Sequence, residues 1–88
     1  MQALPRPSTL EEAQKELIKW EGRLALDRQL YRLKSREAHR LFSEPNQQEQ
    51  RRAFCQVARE LVTRTEAHAK TAQVAFVAAG GEKDPWWD

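Results

Sequence analysis

Apolar residues recur every three or four positions through the first half of the chain. One set forms a single stripe when the chain is wound at 3.6 residues per turn: Leu10, Ala13, Leu17, Trp20, Leu24, Tyr31, Ala38 and Phe42. A second set, here called the leucine flank, lies about 100° or more around the helix from Leu24 and consists of Leu26, Leu30, Leu33 and Leu41. The pattern predicts one long amphipathic helix over about residues 9–43, and its two apolar sides imply two neighbours.

A narrower apolar stripe runs through the second half of the chain. Its members are separated mainly by three or four residues: Phe54, Val57, Ala58, Leu61, Thr65, His68, Ala72, Ala75, Phe76 and Ala79. This spacing predicts a second helix over about residues 47–79 and is typical of a coiled-coil seam. Alanine dominates the second half of the stripe, so a neighbouring helix can approach closely there while burying little apolar area.

Two overlapping capping signals stand at the start of the first helix. Prolines keep residues 1–8 in an extended lead-in. Ser8 followed by Glu11, and Thr9 followed by Glu12, both fit the capping-box pattern. Either residue can therefore cap the helix, and the glutamates suit the positive end of its dipole.

A single turn signal separates the two helices. Pro45 disfavours the helical conformation at Glu44, which predicts a turn over residues 43–46. Asn46 followed by Glu49 is a further capping box, so we expect Asn46 to cap the second helix. A connection this short makes the helices antiparallel neighbours. The fold class predicted is all-α, a hairpin of two long helices over residues 9–79.

A two-helix hairpin has only one layer and a small core. Domains of this size, 88 residues here, gain stability from strong packing or from oligomerisation. We therefore expect the leucine flank to join two hairpins into a four-helix bundle, a homodimer. The alternative is that a different protein covers the flank. Asp27 and Lys34 lie between the two apolar sides, where they either pair across the oligomer interface and set its register or mark a solvent-filled gap.

The composition narrows the class of protein. Hydrophobic residues make up 40% and charged residues 32% of the chain, typical of a water-soluble helical protein. Neither a bilayer-spanning apolar run nor a secretory signal pattern is present, so we expect a cytoplasmic protein that does not bind membranes. The single cysteine, Cys55, excludes an intramolecular disulfide; it lies beside the apolar stripe of the second helix and is interpreted as a small apolar residue.

Positive charge is concentrated in the middle of the chain. Residues 23–52 carry eight Lys or Arg against four Asp or Glu, although the net charge of the whole chain is only +2. Six of the arginines in this segment form what we call the arginine ridge: Arg28, Arg32, Arg36 and Arg40, which repeat every four residues on the first helix, with Arg51 and Arg52 beyond the turn. Three interpretations stay open for the ridge. It binds an acidic protein surface, it binds a nucleic-acid backbone, or it is a structural feature, either a solvated face or a set of arginines paired with Glu37, Glu44 or a dimer mate.

Other polar residues give no sign of catalysis or metal binding. His39 and His68 have no second histidine or cysteine at metal-ligand spacing, and His68 falls on the apolar stripe, where we expect a hydrogen-bonded core histidine. Neither a glycine-rich phosphate loop nor a nucleophile elbow occurs. We therefore expect no enzymatic activity, no cofactor and no metal.

The C-terminal segment, residues 80–88, begins with a helix-stop signal and ends in adjacent tryptophans. Gly80-Gly81 is typical of a helix C-terminus. Trp86 and Trp87 either pack back onto the hairpin as a clasp or form a docking tail for a partner, since tryptophan is enriched in binding hot spots.

These observations favour a non-enzymatic protein–protein interaction module. The expected form is a dimeric hairpin that occupies a surface of a larger assembly as an adaptor, co-chaperone or inhibitor. Small phage or plasmid inhibitors provide an analogy of size and shape. The alternative is a nucleic-acid-binding protein that uses the arginine ridge.

Overall fold

The computed structural model describes residues 9–87. Helix α1 spans Leu10–Leu41 and helix α2 spans Gln48–Ala78, with short 3₁₀ turns at Pro45–Gln47 and Pro85–Trp87. The two long helices pack against each other and no strand occurs in the described part of the chain. The predicted all-helical hairpin is confirmed.

Helix α1 begins at a side-chain cap. The Glu12 amide donates to the Thr9 hydroxyl oxygen at 3.1 Å, and Thr9 has the extended backbone expected of an N-cap. Thr9 is therefore the cap, while Ser8, the other candidate, lies outside the described residues. Glu11 and Glu12 occupy the first turn, where the helix dipole favours negative charge.

The turn uses a different set of polar contacts from those expected. Asn46 lies inside the 3₁₀ turn and α2 begins only at Gln48, so the prediction that Asn46 caps α2 is wrong. The Glu44 amide instead donates to the Gln47 side-chain oxygen at 3.1 Å. Arg51 then reaches back and donates to the backbone carbonyls of Phe42 and Glu44. These bonds tie the start of α2 to the Phe42 carbonyl at the C-cap of α1 and to the Glu44 carbonyl, which also accepts from the Gln47 amide within the 3₁₀ turn.

The end of α2 has a Schellman geometry. Gly80 has a φ of +106°, a conformation that glycine adopts without steric cost. Its amide donates to the Val77 carbonyl at 3.0 Å, and the Gly81 amide donates to the Phe76 carbonyl at 2.9 Å. A Cβ atom at position 81 would collide with the Phe76 ring, so both glycines are required here.

The seam between the helices consists largely of small side chains. Its buried apolar residues are Ala13, Leu17, Ala38, Cys55, Ala58, Ala69 and Ala72. Larger side chains such as Trp20, Leu24, Tyr31 and Phe54 are only half-buried at its edges. Val57, assigned to the seam by its spacing, is 77% exposed, and Cys55 lies inside instead. Alanine seams permit close helix approach but contribute little buried area, so much apolar surface is left uncovered.

One polar contact crosses the middle of the seam. Asp27 is 4% exposed and accepts a hydrogen bond from the Thr65 hydroxyl at 2.6 Å. Its other carboxylate oxygen lies 3.3 Å from Arg23 Nε, one turn earlier on α1. A buried carboxylate is tolerated only with such partners. The contact therefore favours the one alignment of the helices that brings Asp27 to Thr65.

Candidate interaction surfaces

The leucine flank is exposed along one side of α1. Leu26, Leu30, Leu33 and Leu41 are 64%, 39%, 53% and 54% exposed. Helix α2 extends this side, because Leu61 lines the same groove as Leu26 and Val57 precedes Leu61 by about one turn. Both helices therefore contribute apolar side chains to this side of the hairpin.

Asp27 and Lys34, expected between the two apolar sides, are engaged within the hairpin itself. Asp27 is buried against Thr65 of α2, and the Lys34 ammonium lies 5.1 Å from the centre of the Phe54 ring. Both residues continue the three-four spacing of the α1 stripe between Leu24 and Ala38. That spacing was the available signal that they belong to the hairpin seam.

A groove with a basic rim lies at the N-terminal end of the leucine flank. Trp20, Leu26 and Leu61 form its apolar part. Three cationic side chains border it: Lys19, Arg23 and Arg64. We call this the basic-rimmed groove. Sequence reasoning missed it because Arg64 and Leu61 reach it from α2, although the charged positions Lys19 and Arg23 next to Leu26 were visible in α1.

The groove is bordered by an aromatic stack. The rings of Trp20 and His68 lie 4.4 Å apart and within 14° of parallel. The Trp20 indole N–H also donates to a Glu16 carboxylate oxygen at 3.2 Å, which holds the ring in place. His68 is exposed at the edge of the seam, so the expectation of a hydrogen-bonded core histidine is wrong. Its ring covers Trp20 instead of entering the core.

The arginine ridge divides into engaged and free members. Arg28 forms an ion pair with Glu66 of α2 at 3.0 Å, and Arg51 is used in the turn. The remaining four are exposed and have no ion-pair or hydrogen-bond partner within residues 9–87: Arg32, Arg36, Arg40 and Arg52. Arg32 lies on the side of α1 away from Leu30, because two residues on a helix subtend about 200°. His39 is also exposed.

The two tryptophans have different environments. The Trp87 ring packs edge-on against Phe76 with centroids 6.0 Å apart and is half-buried. Trp86 is 74% exposed. Both border a cleft that also includes Arg28 and Glu66, away from the basic-rimmed groove. Trp87 thus makes the contact expected of a clasp, while Trp86 presents most of its ring to solvent.

No cluster of three or more His, Cys, Asp or Glu side chains placed to hold a metal ion occurs among residues 9–87. Neither described helix combines the length and apolar character required to cross a bilayer. No protein-family model matches the chain, and comparisons with curated proteins and with solved structures find no significant match. A functional conclusion therefore rests on the surfaces of the hairpin.

Proposed function

We propose that this chain is a non-enzymatic protein-interaction module that works as a dimer of hairpins. The observation that carries the proposal is the exposure of the leucine flank along the middle of α1. A contiguous apolar surface of this kind typically marks an interaction site. The occupant we propose is a second copy of the chain, which would convert two single-layer hairpins into a four-helix bundle.

The size of the hairpin core supports a second copy as the occupant. Within the described residues no large side chain is fully buried, and the seam is mainly alanine. Full burial of an exposed leucine side chain stabilises by about 1.5–3 kcal/mol, and the four leucines of each copy still expose 39–64% of their surface, so covering them adds apolar burial that the alanine seam does not supply. A two-fold symmetric interface uses the same surface patch on both copies. The leucine flank can serve as that patch, because it lies on one side of one helix.

The arginine ridge is the surface we propose for contact with a larger assembly. Arg32 lies away from the leucine flank on α1, so a dimer formed through that flank leaves it accessible, while Arg36 follows Leu33 by three residues and lies at the edge of the flank. Both are exposed and unpaired within residues 9–87. A row of like charges attracts an acidic protein surface and speeds its association. This arrangement suits an adaptor, co-chaperone or inhibitor.

Sedimentation velocity at micromolar concentration tests the dimer. We expect the wild type to sediment as a dimer and the double variant L30Q/L33Q as a monomer. The matched control I18Q/V74Q removes two exposed aliphatic side chains outside the leucine flank and is expected to remain dimeric. Glutamine retains good helix propensity, so circular dichroism of both variants should stay helical. A wild-type monomer with full helicity would refute the dimer.

A further inference from the structure

We propose that the two hairpins meet antiparallel, with the two-fold axis at Leu30. In this arrangement Leu41 of each copy enters the basic-rimmed groove of the other, and Glu37 of each copy faces Arg23 of the other. This inference rests on the proposed dimer and specifies its geometry.

The order of charges along the leucine flank points to the antiparallel arrangement. Lys19 and Arg23 stand at its N-terminal end on the side of the basic-rimmed groove, and Glu37 stands toward its C-terminal end. Antiparallel contact brings these opposite charges together twice, once at each end. Parallel contact would place Arg23 beside Arg23 and Glu37 beside Glu37, and like charges across an interface oppose binding.

The spacing of the same residues locates the axis. Arg23 precedes Leu30 by seven residues and Glu37 follows it by seven, so a two-fold axis at Leu30 aligns both pairs. The same axis places Leu26 of one copy within about one residue, or about 1.5 Å, of the level of Leu33 of the other. The apolar centre and the charged ends are therefore satisfied by one register.

This register gives the exposed Leu41 side chain a site to enter and gives the basic-rimmed groove an occupant. Leu41 is half-exposed and stands eight residues beyond Leu33, separated from the rest of the leucine flank by Glu37. With the axis at Leu30, it reaches the level of Lys19 on the other copy, which lies at the rim of the groove. The apolar wall of Trp20 and Leu61 then covers its side chain.

Glu37 is available for the proposed ion pair. Its side chain is half-buried and has no ion-pair or hydrogen-bond partner within residues 9–87. Arg23 contacts Asp27 through its Nε atom, and its side chain is 56% exposed. The guanidinium carries further N–H donors, so one arginine can serve both carboxylates.

Single-cysteine cross-linking tests the register. The chain contains one cysteine, so L26C, L30C and L33C are each made in a C55A background, with C55A alone as control. Residues 30 of the two copies meet at the axis, whereas residues 26 and 33 lie about 12 Å and 9 Å from their own counterparts along the helix. A disulfide requires Cα atoms within about 7 Å. We expect oxidation to give a covalent dimer for L30C and little for the others.

The other cross-linking patterns overturn the inference in distinguishable ways. Efficient cross-linking of all three variants would indicate a parallel dimer. Cross-linking of L26C or L33C alone would indicate an antiparallel dimer with its axis elsewhere. Both results leave the proposed dimer intact. If all variants and the wild type sediment as monomers, the dimer and its geometry are both refuted.

A charge reversal tests the contact between Glu37 and Arg23. We expect E37R to raise the dimer dissociation constant about tenfold or more, because it places like charges together at both ends. The matched control E21R reverses a glutamate on the opposite side of α1 and should change the constant by less than about threefold. Equal effects of the two variants would contradict the pairing while leaving the dimer in place.

Discussion

Among single residues, Asp27 makes the contact with the most specific geometry in the hairpin. Its carboxylate is buried and depends on Thr65 across the seam and on Arg23 in its own helix. Desolvating a carboxylate is costly, and the partners offset that cost only when both helices are correctly aligned. We infer that the contact contributes more to the alignment of the two helices than to their net affinity.

Removing the Thr65 hydroxyl should therefore destabilise the hairpin. Thr65→Val retains the shape of the side chain but leaves the buried Asp27 oxygen without its donor, and hydrogen bonds to charged groups contribute about 1.5–3 kcal/mol. We expect the free energy of unfolding, measured by urea denaturation, to fall by that amount. Thr63→Val is the matched control, because Thr63 is exposed on the same helix, and its effect should stay within about 0.5 kcal/mol. Equal losses would argue against the Asp27 contact.

At the scale of the elements, both ends of α2 are tied down by contacts outside the helix. Arg51 joins its first turns to the end of α1 through backbone carbonyls. The Schellman turn at Gly80 redirects the chain so that Trp87 returns to Phe76. A helix terminus otherwise frays, since its last backbone groups lack partners. These contacts make the two ends of α2 part of the folded unit.

The two tryptophans offer a matched test of the C-terminal segment. Trp87→Ala removes the half-buried ring on Phe76, and we expect unfolding to become easier by about 1–2 kcal/mol, seen as a lower melting temperature. Trp86→Ala removes a mostly exposed ring and should leave the melting temperature nearly unchanged. Deleting residues 82–88 should reproduce the effect of Trp87→Ala. An unchanged melting temperature in all three variants would show that the segment does not clasp the hairpin.

At the scale of the whole molecule, one helix carries both an apolar and a basic surface. The leucine flank occupies one side of α1, and Arg28 and Arg32 lie away from it. Arg32 therefore stays accessible to a partner when the leucine flank forms the proposed dimer, whereas Arg36 and Arg40 lie beside Leu33 at the edge of that flank. The ridge of free arginines is shorter than its sequence suggests, because Arg28 and Arg51 already have partners within the hairpin.

A titration with random-sequence duplex and single-stranded oligonucleotides at low salt separates the two partner classes. If the ridge serves an acidic protein, we expect no binding at tens of micromolar. If it serves nucleic acid, the binding constant should decrease with salt concentration. The slope of its logarithm against the logarithm of salt concentration should become shallower by roughly 2 when Arg32 and Arg36 are both changed to alanine. The control R59A/K70A removes two positive charges from α2 and should preserve that slope. Tight binding lost only in the ridge variant would replace the protein-partner proposal.

The helices, their antiparallel order and the turn between them could be predicted from the sequence, because each depends on local features. A stripe of apolar residues at three-four spacing requires a helix whatever its partner, and Pro45 interrupts it whatever the tertiary fold. The exposed leucine flank followed in the same way from its angle to Leu24. Thr9 and Ser8 remained alternatives, since both fit the same local capping pattern.

Only the tertiary structure decided which residues meet across the seam. Asp27 with Thr65 and Arg28 with Glu66 are each 38 residues apart, and Trp20 with His68 is a contact of the same kind. Such pairs depend on the rotation and axial shift of one helix relative to the other. A small rotation moves a residue at the edge of a stripe from seam to solvent, which is why Val57 and Cys55 exchanged their expected places. Periodicity within one helix defines its apolar side, but the packing of two helices determines how far that side is covered.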